Sequence, residues 1–230
     1  MAIKHGYAAK GYINDSTLGR GMTTLKKRSE LHLSRKIFHV FGVSVVIFLY
    51  LVLDRKVSLS LLAGAMAFFI PVDFFRRRIP ALQKIALNSF GFIMREDERS
   101  HLSGVAYMMV GVFIVAYIFP PSVVVLSLLL LGLGDPISSI VGTLYGKDKL
   151  IGRKSLQGTF AGFVVCTIAG FFYFSIQELM VERIVLVSIL TGLVGAVSEV
   201  FPVGKLDDNL TFPVLSSVLL FGLFYLFGGF

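Results

Sequence analysis

The sequence has a single cysteine, Cys166, among its 230 residues. One cysteine excludes a disulfide within the chain and any metal site built from several thiolates. The polar composition of a soluble domain is also missing, because 55% of the residues are hydrophobic and the mean hydropathy is +0.80. These values predict an all-α, polytopic membrane protein with no room for a large soluble domain.

Acidic residues are scarce, with 14 Asp and Glu against 22 Lys and Arg, and the formal net charge is +8. Such a balance can indicate nucleic-acid binding, but here the charges are distributed as in a membrane protein. Every Lys and Arg except Arg55, Lys56 and Arg183 falls on one side of the predicted spans. Because basic residues collect on the cytoplasmic side, we expect a cytoplasmic N-terminus, an extracytoplasmic C-terminus and no nucleic-acid partner.

Seven hydrophobic runs predict about seven transmembrane helices, each near the ~20 residues needed to cross a bilayer. They cover residues 37–53, 57–75, 102–119, 121–144, 156–176, 183–203 and 210–230. Apolar spacing over 79–93 predicts a short interfacial helix between the second and third runs. Residues 1–34 contain no apolar run of signal-peptide type and are interpreted as a basic, partly disordered cytoplasmic tail. Residues 35–230 are interpreted as a single transmembrane catalytic domain.

The chain is organised around the stretch 131–162, where a hydrophobic run ends in an acid and small residues follow. An acid inside an apolar segment is costly and indicates a functional site. Asp135, Ser139, Gly142 and Gly146 are spaced to share one helix face, which is nearly bare of side chains. Such a face allows either a ligand to approach the backbone or another helix to pack tightly against it.

Four basic residues follow this face within a short loop: Lys147, Lys149, Arg153 and Lys154. Acid, bare backbone and concentrated positive charge together suit a metal-bound polyphosphate, whereas the charges alone fit ordinary cytoplasmic anchors. The Walker pattern is absent, because residues 142–148 have one residue too few between the glycines and Asp where Ser or Thr is needed. Protein-kinase motifs are absent as well.

Three further polar clusters fall on the same predicted side of the membrane. They are Arg35-Lys36-x-x-His39, the segment from Arg95 to Gly104 that includes Glu98 and Ser103, and Glu199 followed by Asp207-Asp208-Asn209. Singly, each fits a plain role such as a snorkelling anchor or a solvated loop. If the last cluster faces Asp135, its oxygen atoms form a candidate divalent-metal site. Acids that converge in this way repel one another strongly unless a cation lies between them.

In this order, the motifs resemble the CTP-dependent lipid-alcohol kinases, a family with dolichol kinase, phytol kinase and the yeast-type diacylglycerol kinase. The family shares a superfamily with phosphatidate cytidylyltransferase (CDP-diacylglycerol synthase). The resemblance covers Arg35 to Pro213 and includes Gly134-Asp135 and the run 154–159. Gln157 stands where the family usually has Glu, which argues against the role of an acid at this position. The cytidylyltransferase's C-terminal His-Gly-Gly and Asp-Arg signature is missing.

The resemblance implies phosphoryl transfer from CTP or another NTP to a membrane lipid alcohol, with Mg²⁺ or Mn²⁺ as cofactor. It implies metal contacts at Asp135, Asp207, Asp208 and Asn209. It implies nucleotide and phosphate contacts at Arg35, Lys36, Ser139, Gly142, Gly146, Lys149, Arg153, Lys154, Ser155, Gly158 and Thr159. Asp135 is a catalytic candidate, Glu199, Glu98 and His39 are alternative bases, and Ser103 and Gly104 lie on the lipid side. The site is expected to face the cytoplasm from the cell membrane or the endoplasmic reticulum.

Other functions remain open at this point. A phosphatidate cytidylyltransferase would release pyrophosphate and make a CDP-lipid. Gly132-Leu133-Gly134-Asp135 matches the motif of an intramembrane aspartyl protease, for which Asp73 is the candidate second acid. A transporter or flippase would line a path with polar spans, although charges confined to one side argue against it. The acceptor alcohol is either an isoprenoid or a diacylglycerol.

Overall fold

A computed structural model describes residues 31–201 and 206–230. Nearly all of the predicted tail, 1–34, and Lys205 therefore lie outside the described residues. The described residues form nine α-helices and no strand. The helices are α1 Leu33–Val52, α2 Arg55–Arg76, α3 Pro80–Phe90, α4 Gly104–Ile118, α5 Pro121–Leu129, α6 Asp135–Tyr145, α7 Leu156–Ile176, α8 Ile184–Val200 and α9 Asp208–Phe227. A π-turn, Leu130–Gly134, joins α5 and α6 into one long helix.

Six helical segments among the described residues are long and apolar enough to cross a membrane. They are α1, α2, the α5–α6 unit, α7, α8 with the turn before it, and α9. The all-α, polytopic class is therefore confirmed. The third predicted span is shorter than expected, because α4 has 15 residues and a length of about 22 Å at ~1.5 Å per residue. The predicted helix between the second and third runs is α3.

The ends of α4 have local causes. Ser103 caps its N-terminus by accepting a hydrogen bond from the amide of Ala106 at 3.4 Å. At the other end, Pro120 and Pro121 prevent continuation of the helix. The Arg55 guanidinium donates to the carbonyls of Tyr117 at 2.9 Å and of Ala116 at 3.1 Å. Arg55, a basic residue on the far side of the predicted membrane, thus completes the C-terminus of α4.

The α5–α6 unit is the centre of the bundle. In its most apolar stretch, 67% of the residues are buried inside the protein, whereas the corresponding share is 11% in α1 and in α2. Val123, Val124, Leu126 and Leu128 are fully buried. The surrounding helices expose apolar side chains outward, as membrane helices do when lipid is their solvent.

Small residues set the close approach of α7 and α8. A methyl group added at Gly192 would meet the side chain of Thr167, and one added at Gly195 would lie 2.5 Å from Cys166 Sγ. A methyl group added at Gly134 would also lie 2.5 Å from this sulfur. Cys166 is therefore a small core residue that fills the space between three helices.

The π-turn exposes a backbone acceptor. In a π-turn the amide five residues on bonds to each carbonyl, but for the Leu131 carbonyl that residue is Pro136, which has no N–H. His39 Nε2 lies 3.2 Å from this carbonyl oxygen. The irregular helix thus positions the His39 ring beside Asp135.

The polar motifs of α1, α6, α7, α8 and α9 converge at one end of the bundle. Arg35, Asp135, Lys154 and Asp208 line one cavity there. Since α1 and α9 both begin at this end, Phe230 lies near the opposite end. The direction of the bundle in the membrane remains a prediction from the charge distribution.

We expect a reporter fused after Phe230 to be extracytoplasmic and one inserted beside Lys149 to be cytoplasmic, because basic residues collect on the cytoplasmic side. A paired alkaline phosphatase and fluorescent-protein assay on the intact chain measures this. Both reporters on the same side of the membrane would contradict the seven-crossing topology.

Candidate active site

Three adjoining cavities occupy the polar end of the bundle. The outer cavity has a volume of 420 Å³ and lies between the α6–α7 loop and the ends of α8 and α9. The central cavity, of 70 Å³, contains Asp135. The apolar cavity, of 340 Å³, lies between α1, α2, α3 and α4. Arg95, Ser139, Thr143, Lys154 and Asp208 border both the outer and the central cavity.

Lys154 is the cation at the boundary between the outer and central cavities. Its Nζ lies 3.2 Å from Glu199 Oε1 and 3.3 Å from Asp208 Oδ2. Asp135 also interacts with it electrostatically. Burial by itself lowers the pKa of Lys154, but Asp208, Asp135 and Glu199 raise that pKa above its ordinary value. Lys154 therefore stays charged at any physiological pH.

Glu199 is held from a second direction by α7. Thr159 Oγ1 donates a hydrogen bond of 2.9 Å to Glu199 Oε2. With Lys154 on its other oxygen, this carboxylate lines the outer cavity and is nearly buried. Thr159 thus orients Glu199, and its contact with phosphate stays a prediction.

The loop between α6 and α7 is a tight hairpin. The Leu150 amide donates to the Lys154 carbonyl at 2.9 Å, and the Leu156 amide to the Asp148 carbonyl at 2.8 Å. Gly152 turns the chain with φ of +59°, a value that favours glycine. Both Lys149 and Arg153 border the outer cavity.

Gln157 stabilises this loop through hydrogen bonds of its side chain. It stands at the position where the family usually has Glu. Its Nε2 donates to Asp148 Oδ2 at 2.6 Å, and its Oε1 accepts from the amides of Lys147 and Asp148. A glutamate could not donate to Asp148 and would repel it. The presence of Gln in place of Glu at position 157 is therefore explained by the neighbouring carboxylate of Asp148.

The bare face of α6 packs mainly against α7. A methyl group added at Gly158 would lie 2.6 Å from the Ser138 carbonyl and 2.9 Å from Gly142 Cα, and one at Gly146 would lie 2.5 Å from Ser155 Oγ. Close helix packing thus requires these glycines, although all three also border the outer cavity. Ser155 caps α7 by accepting from the Gly158 amide at 3.3 Å.

The acids from distant parts of the chain do converge. Asp135, Asp207, Asp208 and Asn209 all line the central cavity. Asp207 also caps α9, because its Oδ1 accepts from the Asn209 amide at 3.0 Å and the Asn209 side chain at 2.9 Å. Four basic side chains interact electrostatically with Asp135: Lys154, His39, Lys36 and Arg95. The cation that these acids require is therefore supplied in part by the protein itself.

No group of three or more His, Cys, Asp or Glu side chains within 31–201 and 206–230 is arranged to hold a metal ion. This excludes an all-protein metal cage from the described residues. It does not conflict with Mg²⁺, which usually takes one or two carboxylates together with substrate phosphates and water. The acids of the central cavity fit that second arrangement.

Arg35 and Glu98 form a separate pair at the start of α4. Arg35 Nη1 lies 2.6 Å from Glu98 Oε1, which also accepts from the Gly104 amide at 3.1 Å. Glu98 borders the apolar cavity and not the central one, whereas His39 borders both. The three candidate bases thus occupy different places: Glu199 the outer cavity, Glu98 the apolar cavity and His39 the boundary.

Asp73 is not a partner of Asp135. Asp73 Oδ1 lies 2.6 Å from Arg76 Nε, and its Oδ2 accepts from the Ser103 amide at 2.8 Å. The two acids line different cavities. The aspartyl-protease interpretation, which needs facing acids, is therefore wrong.

Two arginines that were not among the predicted site residues lie at the cavities. Arg76 is 3% exposed and donates to the carbonyls of Glu98 and His101 at 2.9 and 3.3 Å, which ties α2 to the segment before α4. Arg95 borders both the outer and the central cavity. Arg95 belongs to the polar motif that includes Glu98, but nothing in the sequence distinguishes it from the other loop arginines.

The fold and the site define a class: a polytopic membrane protein in which cations and acids from four helices and two loops meet beside an apolar cavity. No family model matches the chain, and no solved structure matches it. Curated proteins do. The CTP-dependent diacylglycerol kinase 1 of Schizosaccharomyces pombe is 34% identical over 166 residues, which cover 66% of this chain and 76% of that protein.

Two further relatives carry the same name. The protein of Eremothecium gossypii is 32% identical over 207 residues, 81% of this chain and 65% of the relative. That of Saccharomyces cerevisiae is 28% identical over 207 residues, 81% of this chain and 71% of the relative. The chain belongs to the family of CTP-dependent lipid kinases represented by these diacylglycerol kinases.

We expect Lys154→Ala to lower kcat/KM for the nucleotide by about 30- to 1000-fold, because loss of a desolvated charge-assisted contact costs ~2–4 kcal/mol. Lys147→Ala is the matched control, since Lys147 is exposed in the same loop and does not border the outer cavity. Steady-state kinetics on both purified variants provide the comparison. Equal kinetics in the two variants would remove Lys154 from the site.

Proposed function

We propose that the protein transfers the terminal phosphate of CTP to the hydroxyl of diacylglycerol, making phosphatidate and CDP. The observation that carries this proposal is Lys154, held by Glu199 and Asp208 at the boundary of a polar cavity and a smaller one that contains Asp135. The names of the relatives favour diacylglycerol over dolichol or phytol, and CTP over other nucleotides. We also propose that the site faces the cytoplasm, where CTP is available.

The outer cavity suits the nucleotide. Its volume of 420 Å³ lies within the usual range for small-molecule sites, about 300–1,000 Å³. Lys149, Arg153 and Lys154 bring positive charge to it from one hairpin, and Arg95 adds a fourth cation. Phosphates bound there would have their terminal group directed toward Lys154 and the central cavity.

The transfer itself needs positioning and neutralisation of charge more than covalent chemistry. The lipid hydroxyl oxygen forms a bond to the terminal phosphorus, the bond from that phosphorus to the bridging oxygen breaks, and CDP leaves with that oxygen. Lys154, Lys36 and Arg95 surround the central cavity and would neutralise charge on the transferred group.

His39 is the candidate base that the geometry favours for the hydroxyl proton. Of the three candidates it alone borders the central cavity. When Nε2–H donates to the Leu131 carbonyl, the other ring nitrogen, Nδ1, is left as a proton acceptor. The π-turn and Pro136 thus favour the tautomer that is protonated on Nε2, with Nδ1 free to accept the proton.

Mg²⁺ fits the oxygen donors of the central cavity, as a partner of the nucleotide phosphates. Asp135 and Asp208 would hold it, helped by Asp207 and Asn209, all of which line that cavity. When bound, the ion would supply Lewis-acid neutralisation of the phosphate oxygens. Lys154 would keep the acids compatible with one another before the nucleotide arrives.

We expect purified protein to convert diacylglycerol and CTP labelled on its terminal phosphate into labelled phosphatidate, with CDP as the second product. Thin-layer chromatography of the lipids and anion-exchange of the nucleotides measure both. A CDP-lipid with release of pyrophosphate would indicate a cytidylyltransferase. Lipid movement across vesicles without nucleotide consumption would indicate a transporter.

We expect EDTA to abolish turnover, Mg²⁺ or Mn²⁺ to restore it, and Asp135→Asn to remove it even at saturating metal. Loss of a charged contact to a metal-bound phosphate costs several kcal/mol, so the rate should fall by about 100-fold or more. Asp54→Asn is the control, since Asp54 is an exposed residue just before α2, at the opposite end of the bundle. Full activity of Asp135→Asn, or insensitivity to EDTA, would refute the metal assignment.

A further inference from the structure

The apolar cavity is not used by the nucleotide chemistry, yet it adjoins the place where that chemistry occurs. Its volume of 340 Å³ is large enough for a small-molecule site. Four helices supply its walls, with Phe38 of α1, Val72 of α2, Ile85 of α3 and Met109 of α4 among them. Its lining is hydrophobic except at one end.

The cavity opens sideways between α2 and α3. Phe69, Val72, Ile85 and Phe90 line it and are between 41% and 61% exposed, so they form its mouth. Because α2 is a membrane-spanning helix, the surroundings of this mouth are hydrocarbon or the interface just below the headgroups. An alkyl chain can therefore enter from the bilayer without crossing water.

The polar end of the apolar cavity meets the central cavity. Arg35, His39 and Asn209 border both. Gly104 packs against two of these residues: a methyl group there would collide with the Arg35 guanidinium and lie 2.6 Å from Asn209 Nδ2, so its lack of a side chain leaves room for both polar groups at the boundary. A molecule whose chains fill the apolar cavity would thus present its polar end beside His39.

The charges at this end are already paired. Arg35 is neutralised by Glu98 at 2.6 Å, and Arg76 by Asp73 at 2.6 Å. Besides these two pairs, His39 is the sole titratable side chain among the described residues that line the cavity. A boundary of matched ion pairs suits an uncharged hydroxyl lipid better than an anionic phospholipid headgroup, which would require unpaired cations.

We propose that the apolar cavity is the acceptor site: it takes the acyl chains of a diacylglycerol from the bilayer and presents the free hydroxyl beside His39, at the boundary with the central cavity. This inference rests on the proposed function and assigns the place of its second substrate. Nucleotide and lipid then reach the central cavity from opposite sides, the nucleotide from the outer cavity and the lipid from the membrane.

A photoreactive diacylglycerol with a diazirine in one acyl chain tests the location without turnover. In proteoliposomes of phosphatidylcholine, we expect labelling of the cavity walls of α1 to α4, competed by unlabelled diacylglycerol and not by added phosphatidylcholine. Labelling that phosphatidylcholine competes equally well would mean ordinary lipid contact and would overturn the proposal. So would labelling spread evenly over all outward faces.

Ala86→Phe narrows the cavity from α3, and Ala81→Phe makes the same change on an exposed position of that helix outside the cavity. We expect Ala86→Phe to reduce labelling and to lower kcat/KM for dioleoylglycerol by about tenfold or more, with the KM for CTP unchanged. Ala81→Phe should behave as wild type. Val72→Phe narrows the cavity from α2 and replaces Ala86→Phe if that variant does not purify.

Equal lipid kinetics and labelling in Ala86→Phe and Ala81→Phe would refute the acceptor site even if the kinase is active. Labelling of the cavity in a protein that forms no phosphatidate would refute the proposed function and leave the lipid site standing. The two proposals are thus tested separately.

Discussion

The arrangement at the polar end depends on one cation, Lys154, held between acids from different helices. Glu199 comes from α8, Asp208 from α9 and Asp135 from α6, and each acts on the same ammonium group. Three acids this close in a partly buried site would repel one another by several kcal/mol without it. Because Lys154 lies in the hairpin just before α7, the same ion network also fixes the loop that carries the other basic residues.

A second network connects the helices around the apolar cavity. Arg35 of α1 and Arg76 of α2 both reach the segment before α4, the first through Glu98 and the second through backbone carbonyls and Asp73. Both arginines are largely buried, so removal of either would leave an acid uncompensated. These pairs neutralise the rim of the apolar cavity while they tie α1 and α2 to the segment before α4.

The glycines of the central stretch illustrate how one pattern can have two physical meanings. A bare helix face permits contact with a ligand and contact with another helix, and spacing alone does not distinguish them. In the structure Gly142 and Gly158 face each other across α6 and α7, where the helices pack closely, while hydroxyl groups and basic side chains make up half of the lining of the cavity that they border. Likewise, the hydroxyl of Thr159 is of a kind that can bind phosphate, and in the structure it donates to Glu199.

Hydropathy and charge along the chain were sufficient to predict a helical membrane protein and to place the polar motifs at one end of it. These properties depend on local composition, which a single sequence contains in full. The contact partners of individual polar side chains could not be predicted in this way. That Asp73 pairs with Arg76, that Glu98 belongs to the apolar cavity and that His39 reaches the Leu131 carbonyl depend on the rotation and depth of each helix relative to its neighbours. Those are decided by packing between distant segments, and only the tertiary structure contains that information.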